Sequence, residues 1–369
     1  MTELERTVAV LEAQRTAGLH PGACVVARLR GESAATASVG EARPGVPMGP
    51  DTVTAWFSMT KLTVALRVAM AWEAEALGLD DRAADHIPEL AGGGRERITI
   101  RHLLTHTSGL HAADDVTAAP REDDWDEEVA RICRTPLPVG WEPGRSAAYS
   151  LRAGFHLLAE VVRRAEADER AWEEIVAADV FAPLGMRRSW LALDDSAWNA
   201  SRADAAMMWA CPPAHAQARP IEDQPFRARV CQPGASGRGR VADVPMLLEC
   251  LLRGVPLLSA VTAEAVGARH RTGLRDGTFG AVLDWGLGVI VDAKVHGAKT
   301  VPYGYGPHAS ARTFGHGGSQ SSGALCDPEH GLVAVLCCTG MPGDAAHSRR
   351  ANEVWTALYE DLGLAGPAA

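Results

Sequence analysis

The chain has 369 residues, 47% hydrophobic and 22% charged, which fits a globular protein of one large domain or two interleaved ones. Acidic residues outnumber basic ones by 46 to 36, and the formal charge of −10 argues against nucleic acid or an anionic membrane as a partner. No apolar run approaches the roughly 20 residues that a membrane helix needs. Residues 1–14 read as an acidic amphipathic helix without the basic start, apolar stretch or cleavage site of a secretion signal, so a cytoplasmic location is expected.

In chain order, helical periodicity over residues 3–17 is followed by two strands, 23–30 and 34–40, around the turn at Gly31-Glu32. Residues 58–77 form the strongest helix, apolar around most of its circumference and therefore expected at the centre. Residues 80–254 read as helices broken by loops rich in Pro and Gly. Strands are expected at 285–291, 311–315, 323–326 and 332–339, and a closing helix at 350–362. The fold class is α+β, an antiparallel sheet flanked by helices. Residues 1–79 and 245–369 are expected to build the sheet domain, with 80–244 inserted as a mostly helical subdomain.

Ser58-Met59-Thr60-Lys61 opens the central helix. Lys61 is one of three lysines against thirty-three arginines, and unlike arginine a buried lysine can lose its proton. Positions i and i+3 share a helix face, so the amine can reach the hydroxyl as its base. A capping serine beside a solvated lysine is the plainer alternative for this short spacing on its own. Two further elements favour chemistry. Tyr149-Ser150 follows the loop Trp141-Glu142-Pro143-Gly144 and precedes an apolar helix, and His316-Gly317-Gly318 sits between two apolar runs.

These elements, in this order, resemble the penicillin-recognising serine enzymes, in the branch with class C β-lactamases, family VIII carboxylesterases, D-aminopeptidases and acyltransferases of the lovastatin transferase type. Leu103-Leu104-Thr105-His106-Thr107-Ser108-Gly109-Leu110, Asp51-Thr52, Leu79-Asp80-Asp81 and Pro183-Leu184-Gly185-Met186 add to the likeness, which spans roughly residues 10–360. The resemblance implies a β-lactamase/transpeptidase-like fold and an acyl-enzyme on Ser58. Lys61 and Tyr149 become the proton-transfer pair, with the choice of base open, and the Ser58 and Ser319 N–H groups become the oxyanion hole.

Two departures bear on the substrate. Leu151 stands where class C β-lactamases carry an asparagine, and His316 stands where they carry the lysine of Lys-Thr-Gly; Lys299-Thr300 is followed by valine and is not preferred for that place. Both replacements fit a neutral carboxylic ester better than an anionic drug. The expected function is an esterase or transacylase using water, an alcohol or an amine as acceptor, with natural-product (antibiotic) tailoring as one setting. A D-amino-acid amidase or peptidase, with an ammonium held by Asp123 or Asp124, a β-lactamase, and a catalytically silent binding protein are the alternatives.

Other signals are weaker. The eight cysteines lack C-x-x-C spacing and read as reduced core residues, and Asn199-Ala200-Ser201 is an inert sequon without export. His102, His106 and His111 read as structural, so neither metal nor cofactor is expected. Gly234-Ala235-Ser236-Gly237-Arg238-Gly239 reads as a turn before a helix at 244–252. Of ten tryptophans, Trp56 and Trp285 are the candidates for lining a substrate pocket with Gly317, Gly318 and Leu151.

Overall fold

The computed structural model describes residues 3–114, 124–211, 219–221, 229–297 and 304–366. Asp123, Lys299 and Thr300 lie outside the described residues. The chain opens with α1 (Glu5–Thr16) and continues through β1 (Gly22–Leu29), β2 (Glu32–Arg43) and β3 (Val46–Pro47). The central helix is α2 (Lys61–Glu73), and α3 (Ala153–Ala165) follows Tyr149. Near the C-terminus come β4 (Asp284–Trp285), β5 (Ile290–Val291), β6 (Phe314–Gly318), β7 (Ser322–Asp327), β8 (Leu332–Cys338) and α4 (Asp344–Asp361).

The eight strands form one sheet in the order β4-β5-β6-β7-β8-β1-β2-β3. Every pairing in it is antiparallel. Its two faces can be read from alternate residues. In β8, Leu332, Ala334, Leu336 and Cys338 join the apolar layer containing α1 and α4, whereas Val333, Val335 and Cys337 join the layer containing α2. Both faces are covered, so the strand reads as a continuous apolar run instead of an alternating one. The register Val25↔Leu336 and Val26↔Val335 continues the same alternation into β1.

The terminal helices are fastened to each other on the far face of the sheet. Asp361 accepts from the Thr7 N–H at 2.8 Å and its hydroxyl at 2.9 Å, and Gln14 donates to the Arg350 carbonyl at 3.2 Å. The architecture is α+β, an antiparallel sheet flanked by helices, as the sequence leads one to expect.

Some elements differ from the sequence expectation. The central helix is split: Phe57–Thr60 is a 3₁₀ turn, and the α-helix begins only at Lys61 and ends at Glu73, where Glu75 takes a φ of +59°. The region after α2 also contains short strands. Val53–Ala55 pairs with Arg238–Arg240, which pairs in turn with Ser189–Trp190. Gly239 makes this possible, because a Cβ there would stand 2.3 Å from the Ser189 hydroxyl oxygen and 2.6 Å from the Trp56 ring. The His316-Gly317-Gly318 run is itself strand β6, paired along its length with β7.

Candidate active site

Ser58 sits in the tight turn between Trp56 and α2, half-buried. The residue before it, Phe57, holds a φ of +48°, a left-handed conformation that bulky side chains seldom adopt and that turns the chain sharply at the serine. The turn is clamped from the glycine-rich segment: Trp56 N–H donates to Gly237 O at 2.8 Å, and Gly237 N–H donates to the Thr60 hydroxyl at 2.9 Å. Gly237 has no alternative, because a Cβ would lie 2.6 Å from the Trp56 ring.

Lys61 follows one turn later and is fully buried. Its Nζ lies 3.5 Å from Ser58 Oγ, 2.7 Å from Leu151 O and 3.0 Å from Gly234 O. No carboxylate forms an ion pair with it among the described residues. Burial therefore governs its titration, lowering the pKa from 10.5 to about 7, with the Asp114 charge pulling weakly the other way. Asp114 does most of its work elsewhere. Its carboxylate accepts from the N–H groups of Leu151, Arg152 and Ala153 at 2.6, 2.9 and 2.8 Å, fixing the start of α3 and with it the Leu151 carbonyl.

Tyr149 is buried with its ring centroid 4.9 Å from Lys61 Nζ. Its backbone is held on both sides, by Asp276 accepting from its N–H at 3.0 Å and by the Thr278 hydroxyl donating to its carbonyl at 2.9 Å. The ring packs 4.5 Å from His106 and 5.9 Å from Trp285, centroid to centroid. His106 accepts the Ser150 N–H through Nδ1 at 3.0 Å, so this histidine positions the tyrosine loop.

The end of β6 closes the site. Gly318 is pressed against the segment before Ser58, since a Cβ would lie 2.2 Å from the Trp56 carbonyl oxygen. His316, one strand repeat earlier, is buried; burial and then the Lys61 charge lower its pKa to about 3, so it is neutral. Its Nδ1 is 2.7 Å from Gly317 O. Ser319 begins the half-buried turn into β7, and Gln320 in that turn takes a φ of +49°.

The structure thus brings Ser58, Lys61, Tyr149 and the 316–319 segment together, with Leu151 at the rim, 37% exposed. It corrects the expectation for two tryptophans. Trp56 and Trp285 are 1% and 0% exposed, so they back the site and offer no wall to a ligand. Among the described residues, the tryptophans that line a cavity are Trp172 and Trp125, whose ring lies tilted 4.0 Å from His156. That cavity, about 940 Å³, is bounded also by Arg152, Cys231 and Gly234, the residue whose carbonyl lies 3.0 Å from Lys61 Nζ, but not by Ser58.

Sequence reasoning missed Asp114 and Gly234. The glycine spacing at 234–239 was the available signal, and its density marks where the chain passes close to the Ser58 turn. His102, His106 and His111 are used separately: His102 caps its helix by accepting the Thr99 N–H at 3.2 Å, and His111 packs on Trp141.

A family model described as Beta-lactamase matches residues 8–358. The chain belongs to the beta-lactamase family. Among curated relatives, esterase EstB of Burkholderia gladioli is 36% identical over 162 residues, a match spanning 39% of this chain and 39% of that protein. Among solved structures, a penicillin-binding protein homologue from Caulobacter crescentus superposes with a TM-score of 0.79 at 26% identity, covering 97% of both chains. EstCE1, described as a hydrolase with promiscuous acyltransferase activity, gives 0.79 at 21% identity over 95% of this chain and 98% of its own. This beta-lactamase family member thus has hydrolases and acyl-transfer enzymes for neighbours. Among its described residues, no helix is long and apolar enough to cross a membrane.

Proposed function

We propose that this protein is an active-site-serine acyl-transfer enzyme acting on a neutral carboxylic ester, with Ser58 as nucleophile and Lys61 as the base that activates it. The coordination of Lys61 carries the reading. A neutral amine has two N–H donors and one lone pair, and two carbonyl oxygens, Leu151 O and Gly234 O, already take donors at 2.7 and 3.0 Å. The remaining position faces Ser58 Oγ at 3.5 Å, where the lone pair accepts the hydroxyl proton. With its pKa lowered to about 7, the amine holds that lone pair in a large share of molecules at neutral pH.

In the first half-reaction Ser58 Oγ bonds to the ester carbonyl carbon as its proton passes to Lys61, and the carbonyl π electrons move onto oxygen. The N–H groups of Ser58 and Ser319 receive that oxyanion. Collapse expels the alkoxide, which takes a proton from the lysine through Tyr149, leaving acyl-Ser58. Water, an alcohol or an amine then attacks the acyl carbon by the reverse path. The neutral His316 and apolar Leu151 favour an uncharged acyl group. The setting is expected to be the cytoplasm, with tailoring of a natural product as one role.

The test is incubation with p-nitrophenyl esters, nitrocefin and a panel of amine acceptors, reading acyl-Ser58 by mass spectrometry in wild type and Ser58→Ala. Ester-derived adducts relieved by water or amine are expected. Nitrocefin turnover rivalling the esters would instead establish a β-lactamase, and failure of a fluorophosphonate to label Ser58 would favour a silent binding protein.

A further inference from the structure

Arg350 on α4 is fully buried, and among the described residues no carboxylate pairs with it. A guanidinium taken out of water without a counter-ion is costly unless its donors are all engaged, so its surroundings show what it is kept for. Nη1 donates to Leu19 O at 2.8 Å and approaches His20 Nδ1 at 3.4 Å. Nη2 reaches Gln320 O at 2.8 Å, His347 Nδ1 at 2.8 Å and Gly340 O at 3.1 Å. Nε is buried without a partner among the described residues. Both histidines are kept neutral, lowered to about 3 by burial and then by the Arg350 charge, so their Nδ1 lone pairs can accept from it.

Gln320 O belongs to the turn that carries Ser319. That turn is held at further points. The Gln320 side-chain oxygen accepts the Gly343 N–H at 2.8 Å, just before α4, and His347 Nε2 lies 3.3 Å from Ser322 O. Ser321 N–H closes back on Gly318 O at 3.3 Å, and Ser321 O accepts from Cys338 N–H at 2.7 Å. Gln320 holds its left-handed φ of +49° within this set of bonds.

We infer that Arg350 is a positioning residue for acyl transfer: its bond to Gln320 O, supported by His347, fixes the turn so that the Ser319 N–H is presented to the oxyanion. The inference rests on the proposed role of Ser319 in an acyl-transfer site. Arg350 touches no reacting atom and acts through the Gln320–Ser321 peptide, in the turn that begins at Ser319. A bidentate guanidinium spans Leu19 O and Gln320 O at once, which a lysine ammonium, a single point donor, cannot do while also meeting His347.

The decisive experiment compares wild type, Ser58→Ala and Arg350→Lys on p-nitrophenyl butyrate, with folding checked by circular dichroism and thermal melting. Loss of a full oxyanion donor costs on the order of 10²–10³ in kcat. Displacing one should cost about 10–100-fold in kcat, with KM within about threefold and the pH profile set by Lys61 unmoved. A purely structural arginine would lower the melting temperature without this kcat-selective loss, and Arg350→Lys retaining kcat within about twofold would overturn the inference.

If wild type shows no turnover that depends on Ser58, the functional reading itself fails and the inference falls with it, an outcome distinct from an active wild type with an indifferent Arg350→Lys. Should Arg350→Lys not fold, amide exchange of the wild-type 316–322 peptide decides. Exchange as slow as that of the central strands β1 and β8 supports a pinned turn, and exchange as fast as an exposed loop refutes it.

Discussion

The titration of Lys61 offers the sharpest test of the site. With a pKa of about 7 in place of 10.5, roughly half the molecules hold a neutral amine at pH 7, against about one in 3,000 for an ordinary lysine. If the neutral amine is the base, kcat/KM for a p-nitrophenyl ester should rise about tenfold per pH unit below 7 and level off above pH 8. Lys61→Arg, always protonated, should lose about 10³-fold or more at pH 7. The same shift carries a stability signature of opposite sense. Between pH 10.5 and 7 the unfolded chain binds the proton that folded Lys61 refuses, so the cost is absent above 10.5, grows as pH falls and is complete below 7. At about 1.4 kcal/mol per unit it totals on the order of 5 kcal/mol, and Lys61→Met should therefore raise the melting temperature at pH 7 while abolishing turnover. A flat pH–rate profile between pH 5.5 and 8.5, together with Lys61→Arg keeping more than a tenth of wild-type activity, would refute a neutral-lysine base.

Three further outcomes are expected. Asp114→Asn removes the charge that holds the Lys61 pKa up, so the acid limb of the rate profile should move below 7, and weaker capping of α3 should cost about 1 kcal/mol in denaturant melts. Gly318→Ala puts a Cβ 2.2 Å from Trp56 O, forcing β6 away from the Ser58 turn; steady-state kinetics should show a loss of about 10²-fold or more, and near-normal kcat would show that β6 does not complete the site. Trp285→Ala should cost about 3–5 kcal/mol in a urea titration because the ring is wholly buried, and should lower kcat more than it raises KM because Tyr149 loses its backing.

Much of the sheet was readable because its strands carry their partners' constraints locally. The apolar run at 332–338 can be satisfied only by burial on both faces and appears as β8, the strand-like stretch at 23–30 appears as β1, and α1 and α4 cover one side. The closing helix begins at Asp344, earlier than the 350 expected, because its first turns are polar and their place is set by Arg350 and His347 reaching inward, which periodicity does not register. The short strand Arg238–Arg240 escaped for a related reason: three residues rich in Arg and Gly carry no strand pattern, and only the passage beside Ser189 and Trp56 selects an extended backbone there.

The candidate site divides along the same line. The amino-acid order alone marked Ser58, Lys61, Tyr149 and His316 as candidates, since a hydroxyl, an amine, a phenol and the glycines after the histidine are chemical types that the chain must spell out. Which atoms hold Lys61 was decided by folding, because a carbonyl oxygen is present at every residue and only proximity distinguishes those of Leu151 and Gly234. Burial did the rest. It lowered the pKa of the Lys61 amine to about 7, closed Trp56 and Trp285 away from any ligand, and enclosed a guanidinium behind the 318–322 turn, and each of these depends on what packs from distant parts of the chain.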